Sequence, residues 1–278
     1  MLGFSQANQQ FYRYAAADNV SSNLKSKAIS LVLAGGLIAA VIGPEVSRYS
    51  FDIFPEYIYL ATYLFAALIQ IFNFTILIFI KIKKPEKVKQ KLRPLREILM
   101  QKTLIIAISA AAVGYSLMSF IMTATPLQIV NVCKLGDSAS ATVIQWHVIA
   151  MFAPSFFTGS IISFLGNRKV MLIGVLLYAL SIFFSVIGQT VPHFWIALFL
   201  CGLGWNFLYI GGSDIIAKCA LPEERAKVQG VTDFIIFIFV ATGSFLAGFL
   251  HSSLGWEIMM LYTLIPIILI FISIIIIR

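Results

Sequence analysis

Eight long apolar runs restrict the folds open to this sequence. Each run is long enough to cross a bilayer as a helix, which requires about 20 residues. Only 12% of the 278 residues are charged and 60% are hydrophobic, so the chain has too few polar side chains to cover a water-soluble domain. The sequence therefore predicts an all-α polytopic membrane protein. We place the spans near 28–47, 57–80, 103–125, 140–165, 170–190, 194–217, 229–250 and 256–277.

Lys and Arg residues are distributed unevenly among the gaps between these runs. Eighteen of the 20 lie before the first run, after the last run or in alternate gaps, and only Arg48 and Lys134 lie in the remaining gaps. Because basic loops stay on the cytoplasmic side, both termini are predicted to be cytoplasmic and the number of spans even. We expect a multi-pass protein of the bacterial inner membrane. The Lys and Arg side chains that give the chain its net charge of +8 are expected to contact lipid headgroups and not nucleic acid.

The longest connection, residues 81–102, is strongly basic and separates two spans from the six that follow. Apolar residues recur in it at helical spacing, which is typical of an amphipathic helix on the membrane surface. A solvated linker is the alternative. The apolar positions are Val88, Leu92, Leu95, Ile98 and Leu99.

Three short motifs occupy the ends of predicted spans. Residues 159–169 read GSIISFLGNRK, residues 221–227 read LPEERAK, and Gly43-Pro44 lies near the end of the first span. The first resembles the Gly-x-Leu-x-Asp-Arg-x-Gly-Arg-Arg/Lys signature of a transporter family, although Ser163 and Phe164 replace its Asp and first Arg. The second resembles that family's Pro-x-Glu-Arg-Gly/Ala turn. The matching positions are Gly159, Gly166, Arg168, Lys169, Pro222, Glu224 and Arg225.

With two spans before a long basic loop and six after it, these motifs make the chain resemble the major facilitator superfamily, whose members have twelve helices. The resemblance maps the chain onto helices five to twelve, with the first four missing. Residues 1–23 would then be an amphipathic remnant of the fourth helix, and 24–80 the last two helices of the N-terminal half. Residues 81–102 would be the linker between the halves, and 103–278 the C-terminal six-helix bundle. Segments 205–212 and 226–234 resemble bacterial carriers related to riboflavin transporters.

The resemblance implies secondary active transport of a small solute, with no cofactor. Enzymatic chemistry is not expected, because the three histidines are scattered and the chain has no nucleotide-binding Gly-rich motif. The three cysteines lack a metal-ligand spacing and are predicted to be free thiols. Alternating access needs two bundles, so we expect the chain to be incomplete. Two alternatives stay open: an inactive fragment or interaction subunit, and a carrier completed by a second chain that supplies the missing helices.

Polar residues inside spans are the candidate functional residues, because placing them in hydrocarbon is costly. Asp233 is a candidate for coupling transport to an ion or proton, and its structural alternative is an ion pair with Lys227 or Arg168. Asp214 and Lys218 are predicted to pair at i,i+4 spacing. The substrate-pathway candidates are Gln9, Gln10, Arg13, Ser119, Thr123, Gln145, His147, Trp205 and Asn206.

Most of these candidates have a structural alternative. Ser119 and Thr123 share a stripe that is typical of helix packing, and Asn206 suits an interhelical hydrogen bond equally well. His147 is explained more simply as an interfacial residue beside Trp146. Gln9, Gln10 and Arg13 resemble the cytoplasmic end of a cavity-lining helix; without partners, that segment is expected to be a surface helix at most.

Overall fold

The computed structural model of the chain describes residues 2–50, 52–79, 93–221 and 223–276, and every regular element within these ranges is helical. A π-helical turn over Leu127–Val132 extends the sixth helix. The helices are α1 (Leu2–Asp18), α2 (Lys25–Ala34), α3 (Gly36–Ser50), α4 (Leu60–Phe79), α5 (Leu95–Leu99), α6 (Lys102–Pro126), α7 (Asp137–Phe152), α8 (Ser155–Leu165), α9 (Asn167–Ile187), α10 (Val191–Cys219), α11 (Arg225–Leu254), α12 (Trp256–Tyr262) and α13 (Leu264–Ile276).

The number of membrane spans agrees with the sequence prediction. Within the described ranges, seven helical stretches are long and apolar enough to cross a bilayer, and α7 with α8 makes an eighth, bent by 42°. The bend falls next to Pro154, which has no N–H for the helical ladder. The all-α polytopic fold is therefore confirmed.

The first span differs from its predicted position, since it covers Ser22–Gly43 and starts several residues early. Two polar residues enter the bundle there because partners on α10 receive them. Lys25 Nζ lies 3.3 Å from the Ala217 carbonyl oxygen, and Ser26 Oγ donates to Asp214 Oδ1 at 2.9 Å. A hydropathy pattern cannot anticipate such partners.

Helix α10 lies at the centre of the bundle, packed against α6, α7 and α9. Glycines let the neighbouring backbones approach closely, as is usual between membrane helices. A Cβ at Gly202 would lie 2.6 Å from the His147 carbonyl oxygen, and one at Gly212 would lie 2.8 Å from that of Ala107. Larger residues at these positions would force the helices apart.

Helices α1 and α2 pack onto this bundle. Gly159 on α8 allows α2 to approach, because a Cβ there would lie 2.6 Å from the Ser26 carbonyl oxygen. The Ser30 hydroxyl donates to the Ser155 carbonyl and accepts the Gly159 N–H at 3.0 Å. The expectation that the first segment is only a surface helix is wrong, because its polar side finds partners on α10 and α11.

The linker is described only from Arg93 onward, so Val88 and Leu92 lie outside the described residues. Leu95, Ile98 and Leu99 form the short helix α5, in which Ile98 is 1% exposed. This part of the predicted membrane-surface helix therefore packs against protein. Helix α4, in contrast to α5, is mostly unburied by protein. Almost all of its apolar side chains are exposed on the surface that lipid would cover. Cys133, Cys201 and Cys219 are free thiols, as predicted.

Candidate functional site

A cavity of about 1140 Å³ lies between α1–α3 and the helices α6 and α7. Its polar wall includes Gln9, Gln10 and Gln145, and its aromatic wall includes Tyr115 and Phe152. Pockets that enclose small organic ligands typically measure roughly 300–1,000 Å³. The cavity is therefore large enough to hold such a solute together with water.

The cavity has different surroundings at its two ends. Gln9 and Gln10 on α1 line one end, and Glu45 near the end of α3 and Asp137 at the start of α7 line the other. The end of the bundle nearer to Gln9 and Gln10 carries most of the described Lys and Arg residues, and we call it the basic end. They are Lys25, Lys27, Arg93, Arg96, Lys102, Arg168, Lys169, Lys218, Arg225 and Lys227.

A buried ion pair lies beside the cavity, towards the basic end. Arg13 Nη2 lies 2.6 Å from Asp233 Oδ1, and Arg13 is only 1% exposed. The same Nη2 donates to the Tyr14 hydroxyl at 3.0 Å, and the guanidinium carbon lies 4.2 Å from the Tyr14 ring centre and 4.9 Å from that of Tyr209. A charge that is taken out of water requires such a set of partners.

This pair corrects one expectation about Asp233. Its partner is Arg13, not Lys227 or Arg168. Arg168 instead donates through Nη2 to the Ile275 carbonyl oxygen at 2.7 Å, near the end of α13. Residues on α1 and α11 are remote in sequence, so nothing local in the chain indicates that they meet.

Gln10 connects the ion pair to the cavity wall. Its side-chain oxygen accepts from Arg13 Nη1 at 2.5 Å and from the Tyr209 hydroxyl at 2.9 Å. Gln10 also lines the cavity, as does its neighbour Gln9. The structure thus brings Gln9, Gln10, Arg13 and Asp233 into one region, and Gln145 on α7 lines the same cavity.

Aromatic rings form a continuous layer next to these polar groups. Trp205 stacks on Tyr209 with ring centres 5.0 Å apart, and Tyr115 packs edge-on against both, at 5.3 and 5.1 Å. Phe152 packs edge-on against Trp205 at 5.7 Å. Trp205 is 2% exposed and supports the wall from behind, whereas Tyr115 and Phe152 line the cavity. The sequence prediction missed both, since nothing local distinguishes them from other aromatic residues in spans.

Asn206 on α10 contacts the residues around the break between α7 and α8. Its Nδ2 donates to the Met151 carbonyl oxygen and to Ser155 Oγ, both at 2.6 Å, and its Oδ1 accepts from Thr158 Oγ1 at 2.6 Å. Every contact is with a neighbouring helix and the residue is fully buried. These contacts favour the alternative in which Asn206 holds helices together.

His147 lies behind the cavity wall. It is fully buried, and its Nδ1 lies 2.7 Å from the Leu198 carbonyl oxygen on α10. The interfacial interpretation of His147 is therefore wrong, although its neighbour Trp146 is exposed and packs edge-on against Trp195. The helix twist turns Gln145 towards the cavity and His147 towards α10.

The polar stripe of α6 lies outside the cavity lining. Ser119 Oγ lies 2.6 Å from Ser244 Oγ on α11, and Ser116 Oγ donates to the Phe239 carbonyl oxygen at 2.7 Å. Thr123 is exposed. These contacts favour the helix-packing interpretation of the stripe.

The first motif shapes the turn between α8 and α9. Gly166 has φ +82°, a conformation that side chains other than glycine rarely adopt. Lys169 is exposed beside Arg168. The predicted pair of Asp214 and Lys218 is confirmed at 2.6 Å, and Asn167 Nδ2 also donates to Asp214 at 2.8 Å. These groups tie the turn to α10.

The second motif forms two ion pairs at the basic end, while its Pro222 lies outside the described residues. Glu224 Oε2 lies 2.6 Å from Arg93 Nη2, and Arg225 Nη1 lies 2.5 Å from Asp18 Oδ1. Glu224 also accepts from the backbone N–H groups of Arg93 and Leu221. The hydrogen bonds from Arg93 lower the pKa of the Glu224 carboxyl to about 2. The turn between α10 and α11 thus holds both the linker and the end of α1.

A bundle of membrane-spanning helices with a solute-sized cavity between them has the architecture of a membrane transporter. Comparison with known families specifies the group: the Major Facilitator Superfamily pattern matches residues 132–278, and the chain belongs to this superfamily.

Individual relatives support the same assignment. The chain is 40% identical to the riboflavin transporter RfnT of Brucella anthropi over 259 residues, which cover 92% of this chain and 65% of that protein. It is 25% identical to the uncharacterized MFS-type transporter YddS of Bacillus subtilis, over 91% of this chain and 63% of the relative. A second B. subtilis relative, the uncharacterized MFS-type transporter YdeG, is 34% identical over 53% of this chain and 35% of its own length. The chain thus spans less than two thirds of the length of each.

Proposed function

We propose that this chain serves in the secondary active transport of a small planar aromatic solute, without catalysing a reaction, and that riboflavin is the first compound to test. The observation that carries the proposal is the cavity of about 1140 Å³, with amide side chains on one wall and Tyr115 and Phe152 on another. Aromatic walls suit a flat ring system, and a few fixed polar groups orient it. The similarity to RfnT supports the choice of riboflavin.

We place the basic end of the bundle in the cytoplasm of a bacterial cell, following the positive-inside rule. The cavity then reaches the external side, near Glu45 and Asp137. Three contacts close the cytoplasmic side: Arg13 with Asp233, Asp18 with Arg225, and Ser26 with Asp214. The arrangement corresponds to an outward-facing carrier.

Alternating access would then move two units against each other. We propose that residues 24–80 belong to one half of the carrier, that 103–278 form the other, and that 81–102 link them. The fragment 1–23 contributes α1, whose contacts with α10 and α11 cross between the units. Breaking these contacts would open the cavity towards the cytoplasm.

Asp233 is the proposed coupling residue. Its Oδ1 binds Arg13, whereas its buried Oδ2 has no hydrogen-bond partner among the described residues. A proton on this carboxylate would remove the charge that holds Arg13 and so weaken the closure. Uptake that is unchanged after both the proton and the sodium gradients are collapsed would contradict this role.

Uptake of labelled riboflavin by a bacterial strain without its own riboflavin carrier tests the proposed function. The chain is expressed alone and, because it spans 65% of the length of RfnT, also together with the first four helices of that protein. Membrane insertion is checked by immunoblot, and cells with the empty vector, or with the four helices alone, serve as controls. Uptake above the controls in either arm supports the proposal. No uptake in both arms overturns it in favour of a non-transporting interaction subunit.

A further inference from the structure

The side-chain amide of Gln10 has a fixed orientation. Arg13 Nη1 lies 2.5 Å from its Oε1, and a guanidinium has donors but no acceptor. The atom that faces Arg13 must therefore be the amide oxygen and not the nitrogen. The Tyr209 hydroxyl donates to the same oxygen at 2.9 Å. Together the two contacts fix which of its two flipped orientations the amide adopts.

The amide NH₂ of Gln10 is consequently the part of the side chain left to bind a ligand. Gln10 lines the cavity, and among the described residues its nitrogen has no hydrogen-bond partner. An NH₂ group donates and does not accept. This wall thus presents a donor at a defined position, supported by a buried cation that cannot be deprotonated.

We propose that Gln10 is a specificity-determining residue, which donates a hydrogen bond to a carbonyl oxygen or ring nitrogen of the planar solute. Arg13 is its positioning residue. The inference rests on the proposed function and narrows it to flat aromatic solutes that carry an acceptor on the ring edge, as the ring system of riboflavin does. Sites built around a fixed hydrogen bond reject analogues that lack the partner, because the buried group is then left unpaired.

Gln9 provides a matched comparison. It lines the same cavity on the same helix, but it is exposed, and no hydrogen bond within the described part of the chain holds its amide. A freely rotating amide offers either a donor or an acceptor, so it does not select between them. Selection by donor alone is therefore expected at position 10 and not at position 9.

Binding measurements with two ligands test the inference on the purified chain in lipid nanodiscs. The probes are riboflavin and 9-anthracenemethanol, a three-ring aromatic alcohol without an acceptor in its rings; fluorescence quenching gives each Kd. Gln10→Glu keeps an oxygen for Arg13 and Tyr209 but removes the NH₂ donor. We expect it to weaken riboflavin binding about tenfold and to leave 9-anthracenemethanol within about twofold. Gln9→Glu adds the same charge, and it should change the Kd of both ligands by the same factor, so that the ratio of the two Kd values stays within about twofold of that of the unmodified chain.

Arg13→Lys tests the positioning role. Lysine keeps a positive charge for Asp233 but lacks the fork that contacts Gln10 and Asp233 together. The preference for riboflavin over 9-anthracenemethanol should fall, and adding Gln10→Glu to this variant should cause little further loss. A residue that only stabilised the fold would not change this ratio.

Different failures have different meanings. Unchanged riboflavin binding in Gln10→Glu, or an equal loss of both ligands, overturns the inference and leaves the proposed function standing. Failure of the unmodified chain to bind either ligand, both alone and together with the first four helices of RfnT, overturns the proposed function, and the inference with it. Retained binding of 9-anthracenemethanol by Gln10→Glu shows that the variant is folded.

Discussion

Arg13 on α1 donates a 2.6 Å hydrogen bond to Asp233 on α11, and the two residues lie 220 positions apart in the chain. Both are buried, in a setting where an unpaired charge is costly. The pair therefore joins the first helix to the bundle and orders the polar wall of the cavity through Gln10. We therefore expect stability and ligand selection to depend on the same contact.

Removing one member of this pair should destabilise the protein strongly. Asp233→Ala leaves Arg13 buried without a counter-charge, a change that typically costs about 3–5 kcal/mol. We expect a fall in Tm of about 10 °C in detergent, measured by tryptophan fluorescence. The double variant Arg13→Met with Asp233→Leu removes both charges and should recover most of the Tm while riboflavin uptake stays low. If the single and double variants are equally stable, the pair does not hold α1 in place.

The contact between Glu224 and Arg93 should be insensitive to pH over the physiological range. Because the pKa of the folded carboxyl is lowered to about 2 from its usual 4.5, the contact contributes stability above pH 4.5 and loses it as the pH falls towards 2. Trypsin cleavage after Arg96 should thus be equally slow at about pH 6 and about pH 8, after correction for enzyme activity.

Glu224→Gln is the matching variant for this contact. It removes the charge that holds the linker and should speed cleavage after Arg96 at both pH values. Glu56→Gln alters an exposed carboxylate in the connection between α3 and α4, away from the linker in sequence, and serves as the control. Equal cleavage rates in the two variants would show that Glu224 does not hold the linker.

Gly159 should tolerate almost no increase in size. A Cβ there would lie 2.6 Å from the Ser26 carbonyl oxygen and 2.7 Å from the Lys27 Cα, so Gly159→Val must push α2 away from α8. Overpacking of this kind costs about 1–3 kcal/mol, and we expect a lower Tm. Gly230→Ala, at a helical position with no atom within 4 Å of the added Cβ, should leave the Tm unchanged or raise it. Equal Tm values for the two variants would contradict the close packing.

Local patterns account for the parts of this molecule that the sequence predicts well. The spans follow from the length of apolar runs, and the pair of Asp214 and Lys218 follows from i,i+4 spacing, since both depend on residues close in the chain. The partner of Asp233 could not be predicted in the same way, because which helix faces α11 is decided by packing. The same holds for Tyr115, whose place in the cavity wall depends on the rotation of α6.

Cysteine labelling in intact cells should determine which side the cavity opens to. In a background where Cys133, Cys201 and Cys219 are replaced by serine, Gln145→Cys places a thiol in the cavity wall, and Lys169→Cys places one at the exposed basic end. With the basic end in the cytoplasm, a membrane-impermeant maleimide should label position 145 from outside and position 169 only in inside-out vesicles. Riboflavin should slow labelling at position 145 and leave position 169 unaffected, because only the first lines the cavity. The opposite labelling pattern would show that the protein has the reverse orientation in the membrane. Equal labelling of position 145 from both sides would show that the contacts of Arg13 and Asp18 do not close the basic end.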